Sequence, residues 1–79
     1  MTNYADIQAM TTDEICDFMA TLPSFTQQNG YGTIQECLMS GWVNAMDMQD
    51  EIGARISVEE FRSHTLSHAE NMHGTDWEI

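Results

Sequence analysis

The groups in this chain that could do chemistry are thirteen carboxylates and three histidines, with two cysteine thiols, set against two bases. The bases are Arg55 and Arg62, and there is no lysine. His64 and His68 stand one helical turn apart, with Glu60 a turn before them and His73 nearby, a spacing at which two imidazoles can share a zinc ion. The same helix places no third close ligand, so the expectation is histidines without a metal. Cys16 and Cys37 lack a CxxC spacing; reduced thiols are the plainer reading and one disulfide is the other. No nucleophile motif, phosphate-cradling loop or acid–base pair stands out. A helical domain this short rarely encloses a pocket of roughly 300 Å³ or more. These residues point to binding rather than catalysis, with no cofactor and no metal.

The charge balance says what would be bound. The formal net charge is −11, although charged residues make up only 19% of the chain. The imbalance therefore comes as much from missing bases as from added acids, and it exceeds the magnitude of about 2 to 8 that solubility asks of a small domain. Such a charge repels phosphates, which excludes nucleic acid and anionic membrane as direct partners and favours a basic protein. No apolar run is long enough to span a bilayer, and no signal peptide with a basic start is present. The expectation is one cytoplasmic domain, residues 1–79, with 73–79 as a tail.

The elements that must position these groups are helices. Three times a Ser or Thr is followed three residues later by Glu: Thr11 and Glu14, Thr33 and Glu36, Ser57 and Glu60. In a capping box the hydroxyl accepts from the third helical amide and the Glu side chain accepts from the cap's own amide. Each is followed by apolar residues at helical spacing, which predicts helices over about 12–22, 33–52 and 58–72. A shorter helix fits residues 3–10. Ile15, Phe18, Met19 and Leu22 share a face of the first main helix, which Pro23 helps to end. The loop "PSFTQQNGYGT" follows, with turn residues at Asn29-Gly30 and Gly32. The long helix carries Ile34, Leu38, Gly41, Ala45, Met48 and Ile52 in one stripe and stops at Gly53. The last buries Val58, Phe61, Thr65, Ala69 and Met72 and stops at Gly74. No strand pattern competes, so the fold class is all-α, a compact bundle of three main helices.

On the same helical wheels the acids gather away from these stripes. Glu36, Asp47, Asp50 and Glu51 lie opposite the stripe of the long helix; Asp13 and Asp17 lie one turn apart on the first. Glu59, Glu60 and Glu70 do likewise on the last. Like charges one turn apart destabilise a helix by roughly 0.2–0.5 kcal/mol per pair, and no interleaved base recovers it. Met39, Trp42, Val43 and Met46 make a second apolar stripe on the long helix. It has three readings: core, if the helix is packed on two sides; an adaptable Met/Trp interface bordered by Glu36, Asp47 and Asp50; or a homodimer contact. Trp77 and Ile79 either fold back on the core or dock elsewhere.

Three resemblances bear on function. "GARISVEEF" resembles the end of an EF-hand calcium loop entering its exit helix. With Glu60 as the last ligand, however, Gln49, Glu51 and Gly53 fall at the first three ligand positions and Ala54 where the turn needs glycine. The Ser57–Glu60 capping box explains the same letters. The stretch is also similar to the second half of an acyl carrier protein, where a long helix ends in an acidic run before a short loop and a third helix. That family's Asp-Ser-Leu attachment motif is missing: Thr33-Ile34, Cys37-Leu38 and Ser40 occupy its neighbourhood. In composition and size the chain resembles the small acidic inhibitors that phages carry against host defences, including anti-CRISPR and anti-restriction proteins. That resemblance implies a nucleic-acid mimic, whose carboxylates meet Lys and Arg where the partner would bind DNA or RNA. The partner-binding residues would be Asp13, Asp17, Glu36, Asp47, Asp50 and Glu51, with Trp42 and Met46 as apolar anchors. The alternatives are an assembly module held by the Met/Trp stripe and a degenerate carrier-like scaffold.

Overall fold

The structure, a computed structural model, describes residues 1–22 and 32–79. The described residues contain four helices in order: α1 (Tyr4–Gln8), α2 (Thr12–Ala20), α3 (Ile34–Ile52) and α4 (Val58–His73). The chain is an all-α bundle, and the described residues include no named strand. The loop expected after α2, with Pro23 and the turn at Asn29-Gly30, lies largely outside the described residues.

Local chemistry starts each helix where the letters indicated. Thr11 Oγ1 accepts from the Glu14 amide at 3.2 Å while Glu14 Oε1 accepts from the Thr11 amide at 3.0 Å. Thr33 and Glu36 repeat the exchange at 3.1 and 2.9 Å. Ser57 Oγ accepts from the Glu60 amide at 3.1 Å, but the Glu60 side chain does not return the bond, so the third box is half formed. A further box, Asn3 with Asp6, starts α1. Such caps are typically worth about 1 kcal/mol each. Gly53 ends α3 with φ 70°, the left-handed conformation that a side chain would strain, and its amide bonds back to Asp50. The first main helix ends at Ala20, two residues before the expected limit.

Close packing of α3 on α4 builds the core. The contact passes through Gly41: a Cβ there would lie 2.4 Å from the carbonyl oxygens of both His64 and Thr65. The two backbones can meet only because residue 41 has no side chain. Around this crossing Leu38, Ala45, Phe61 and Ala69 are buried, joined by Ile15 and Met19 from α2 and Ile7 from α1. Thr65 Oγ1 is buried beside the crossing without a hydrogen-bond partner.

The chain ends are joined to each other. Thr2 and Ile79 exchange backbone hydrogen bonds at 2.6 and 2.7 Å, and Asn3 bridges Glu78 in antiparallel fashion. This seats Trp77 inside, edge-on to Tyr4 with ring centroids 5.9 Å apart, while its indole N–H donates to the Gly74 carbonyl at 2.9 Å. The expected tail thus folds back on the core, and α4 runs to His73 rather than 72.

Two expected core positions are corrected. Ile52 is 59% exposed and Met72 60% exposed, although both continue the apolar stripe of their helix. Each sits in a final turn that the facing helices do not cover. Ile56, just past Gly53, packs against the core instead, and Trp77, just past Gly74, is part of it. Val58 and Met48 are half-buried. Leu66 is buried although it lies off the expected stripe of α4. It faces α1, a neighbour that the period of α4 alone does not announce.

Candidate functional site

The carboxylates expected to meet a partner fall into two groups. Asp47, Asp50 and Glu51 occupy the last two turns of α3, and all three are exposed. Among the described residues their side chains have no hydrogen-bond or ion-pair partner, and the last turn of α3 has no basic residue. The exposed carbonyls of a helix C-terminus carry about half a negative charge, so acids gathered there raise the energy of the helix. Nothing in the last turn offsets that cost.

Asp13 and Asp17, both exposed, come from α2. Two contacts set α2 beside α3. The Trp42 indole N–H of α3 donates to Cys16 Sγ at 3.4 Å. At the other contact Arg55, in the loop after α3, donates to Asp13 Oδ1 at 2.7 Å. Both side chains of that ion pair are largely exposed, which limits it to at most about 1 kcal/mol. It ties the start of α2 to the loop that follows α3. Arg62, the other base, donates through Nε to the Met10 carbonyl at 2.7 Å.

Glu36 stands apart. It opens α3, fifteen residues before Glu51, roughly 20 Å along the helix axis. It is half-buried, and its Oε1 accepts from the Thr33 amide. The capping role accounts for it.

Trp42 and Met46 are half-buried and pack against the core, as does Met39. Trp42 meets α2 at Cys16, while Val43, also half-buried, lies outside the packed cluster, so the stripe is part packed and part exposed. Met46 Sδ also accepts from Gln49 Nε2 at 3.8 Å, and Gln49 Oε1 accepts from the Ile56 amide at 3.2 Å.

The other chemistry-bearing residues are dispersed. No disulfide joins Cys16 to Cys37, and burial, with a smaller contribution from the Glu36 charge, pushes the Cys37 thiol above its ordinary value. His68 Nε2 accepts from Asn44 Nδ2 at 3.3 Å. Among the described residues no three His, Cys, Asp or Glu side chains gather in a way that could hold a metal ion, and no helix is long and apolar enough to cross a membrane.

One concave feature was not anticipated from the sequence. Tyr4 and Gln8 of α1 with Glu59, Arg62, Ser63, Leu66 and Glu70 of α4 line a groove of about 430 Å³. Arg62 in company with Glu59 on one helix was a legible signal, since bases are so scarce here. Comparison with protein families, with characterised proteins and with solved structures finds no match to this chain.

Proposed function

We propose that this protein is a non-catalytic acidic binding protein that covers a basic, nucleic-acid-binding surface of a partner protein in the cytoplasm, as nucleic-acid-mimic inhibitors of the kind carried by phages do. One observation carries the reading. Among the described residues Asp47, Asp50 and Glu51 are exposed at the negative end of α3 without a partner, and exposed Asp13 of α2 pairs with Arg55 in the loop that follows. Such an arrangement opposes folding stability, and a short chain with a small core has little stability to lose. A lysine- and arginine-rich surface would supply the missing countercharge and release the ions that had screened it. Trp42 and Met46, half-buried against the core, offer their remaining exposed surface as apolar anchors for the partner.

The test is competition. A nucleic-acid-binding protein captured by this chain should lose its labelled DNA or RNA as the chain is added. The triple variant Asp47→Lys, Asp50→Lys, Glu51→Lys should displace it at least about a hundredfold less well, with helicity by circular dichroism unchanged, because each reversal turns an attraction into a repulsion. Equal displacement by the variant would refute this reading.

A further inference from the structure

We propose that the groove between α1 and α4 binds a free basic α-amino acid, of which L-arginine is the probe. The groove lies on the α1 side of α4, and the inference does not depend on the acidic end of α3.

The lining groups match such a ligand in order along α4. Arg62 is half-buried, and its Nε–H is held by the Met10 carbonyl at 2.7 Å. That contact fixes the guanidinium plane and leaves the two terminal amino groups, which form no ion pair. Together they make a fork suited to a carboxylate. Glu59, one turn earlier on α4, is an exposed carboxylate without a partner and suits the α-ammonium. Leu66, almost wholly buried, lies at the floor of the groove beneath the methylene stem. At the far end Glu70 Oε2 accepts from the Tyr4 hydroxyl at 2.8 Å, and Gln8 Nε2 donates to that hydroxyl at 3.1 Å. The network orients the Glu70 carboxylate and leaves its other oxygen for a side-chain cation.

Spacing and charge agree. Arg62 and Glu70 are eight residues apart, roughly 12 Å along the helix. That rise between the two backbones is of the same order as an extended arginine or lysine with a hydrogen bond at each end. Two carboxylates and one guanidinium line the groove, and a basic amino acid brings the complementary set, one carboxylate and two cations.

The experiment is an amide-resolved NMR titration of the unaltered chain with L-arginine at millimolar concentration, set beside analogues that each lack one group. L-arginine should shift amides of α1 and of the Glu59–Glu70 face of α4. L-argininamide lacks the carboxylate, N-acetyl-L-arginine the ammonium, and L-citrulline the side-chain charge. Each should bind about tenfold or more weakly, the usual consequence of losing a charged hydrogen bond. Arg62→Lys and Glu70→Gln should weaken L-arginine similarly with helicity retained. Binding of Nα-acetyl-L-argininamide as tight as that of free arginine would mean a side chain of another protein, and would overturn the proposal. Absence of shifts, or shifts spread over the acidic ends of α2 and α3 as well, would also overturn it.

Discussion

At the scale of single residues, the position that decides most is Gly41. Elsewhere in a helix, replacing glycine by alanine gains up to about 1 kcal/mol from reduced backbone entropy in the unfolded chain. At residue 41 the added methyl would sit 2.4 Å from two carbonyl oxygens of α4, and backbone cannot move aside as a side chain does. Overpacking of this kind costs about 1–3 kcal/mol, so the clash should win. Gly41→Ala is expected to lower the thermal midpoint by several degrees despite its better helix propensity, given about 4–8 °C per kcal/mol in a domain of this size. An unchanged or raised midpoint would mean that α3 and α4 do not meet there. Asp13 and Glu36 show a related point. Each is an acid on a solvent-facing position of its helix wheel, yet one is paired with Arg55 and the other caps α3. The wheel supplies a direction, and the partner decides the role.

At the scale of elements, helix starts were legible and helix ends were less so. A start is written in local letters: Thr11 and Glu14, or Thr33 and Glu36, satisfy each other's amides within four residues, whatever the rest of the chain does. The Thr11 box has a measurable signature. Hydrogen bonds from the Thr11 backbone amide, and then the Thr11 side-chain contact, hold the Glu14 carboxyl below its ordinary value, with a smaller contribution from Arg62. A carboxyl depressed in the folded state stabilises it above the unfolded pKa, about 4.3, and that contribution is lost as pH falls through the lower folded value. Glu14→Gln, which keeps an acceptor but does not titrate, should therefore show a shallower fall in thermal midpoint between about pH 5 and about pH 3. A parallel fall in both proteins would count against the box. The core, by contrast, was legible only in part. Ile15, Met19, Leu38, Ala45, Phe61 and Ala69 follow from the period of their own helices. Leu66, Ile7 and Trp77 do not, because their burial depends on how α1 and the chain end lie on α4. Ile52 and Met72 keep the period but lose the burial, since a period says nothing about where the neighbouring helix stops. The candidate surface divides the same way: the acids and their scarcity of bases were readable. The tie between α2 and the loop after α3, made by a pair 42 residues apart, was not.

At the scale of the whole molecule, the arrangement combines a closed core with an unbalanced surface. The paired termini and the Tyr4–Trp77 contact close one side of the bundle, so residues 76–79 belong to the folded unit. A tag or extension on either end would adjoin that contact. The net charge of −11 is carried by carboxylates that are mostly exposed, and the two arginines offset little of it. Its field extends over about a Debye length, ~10 Å at 0.1 M salt and ~3 Å at 1 M. Recognition by charge must therefore weaken steeply with ionic strength, while recognition through an apolar stripe would persist.

That difference supplies the most direct measurement of the central claim. The immobilised protein would be exposed to cell lysate, eluted with stepwise salt and the fractions identified by mass spectrometry, with the Asp47→Lys, Asp50→Lys, Glu51→Lys chain alongside. Nucleic-acid-binding proteins should be retained at about 0.1 M salt, released before about 1 M, and missing from the reversed chain. Partners that remain bound at about 1 M salt, or that the reversed chain captures equally well, would contradict it.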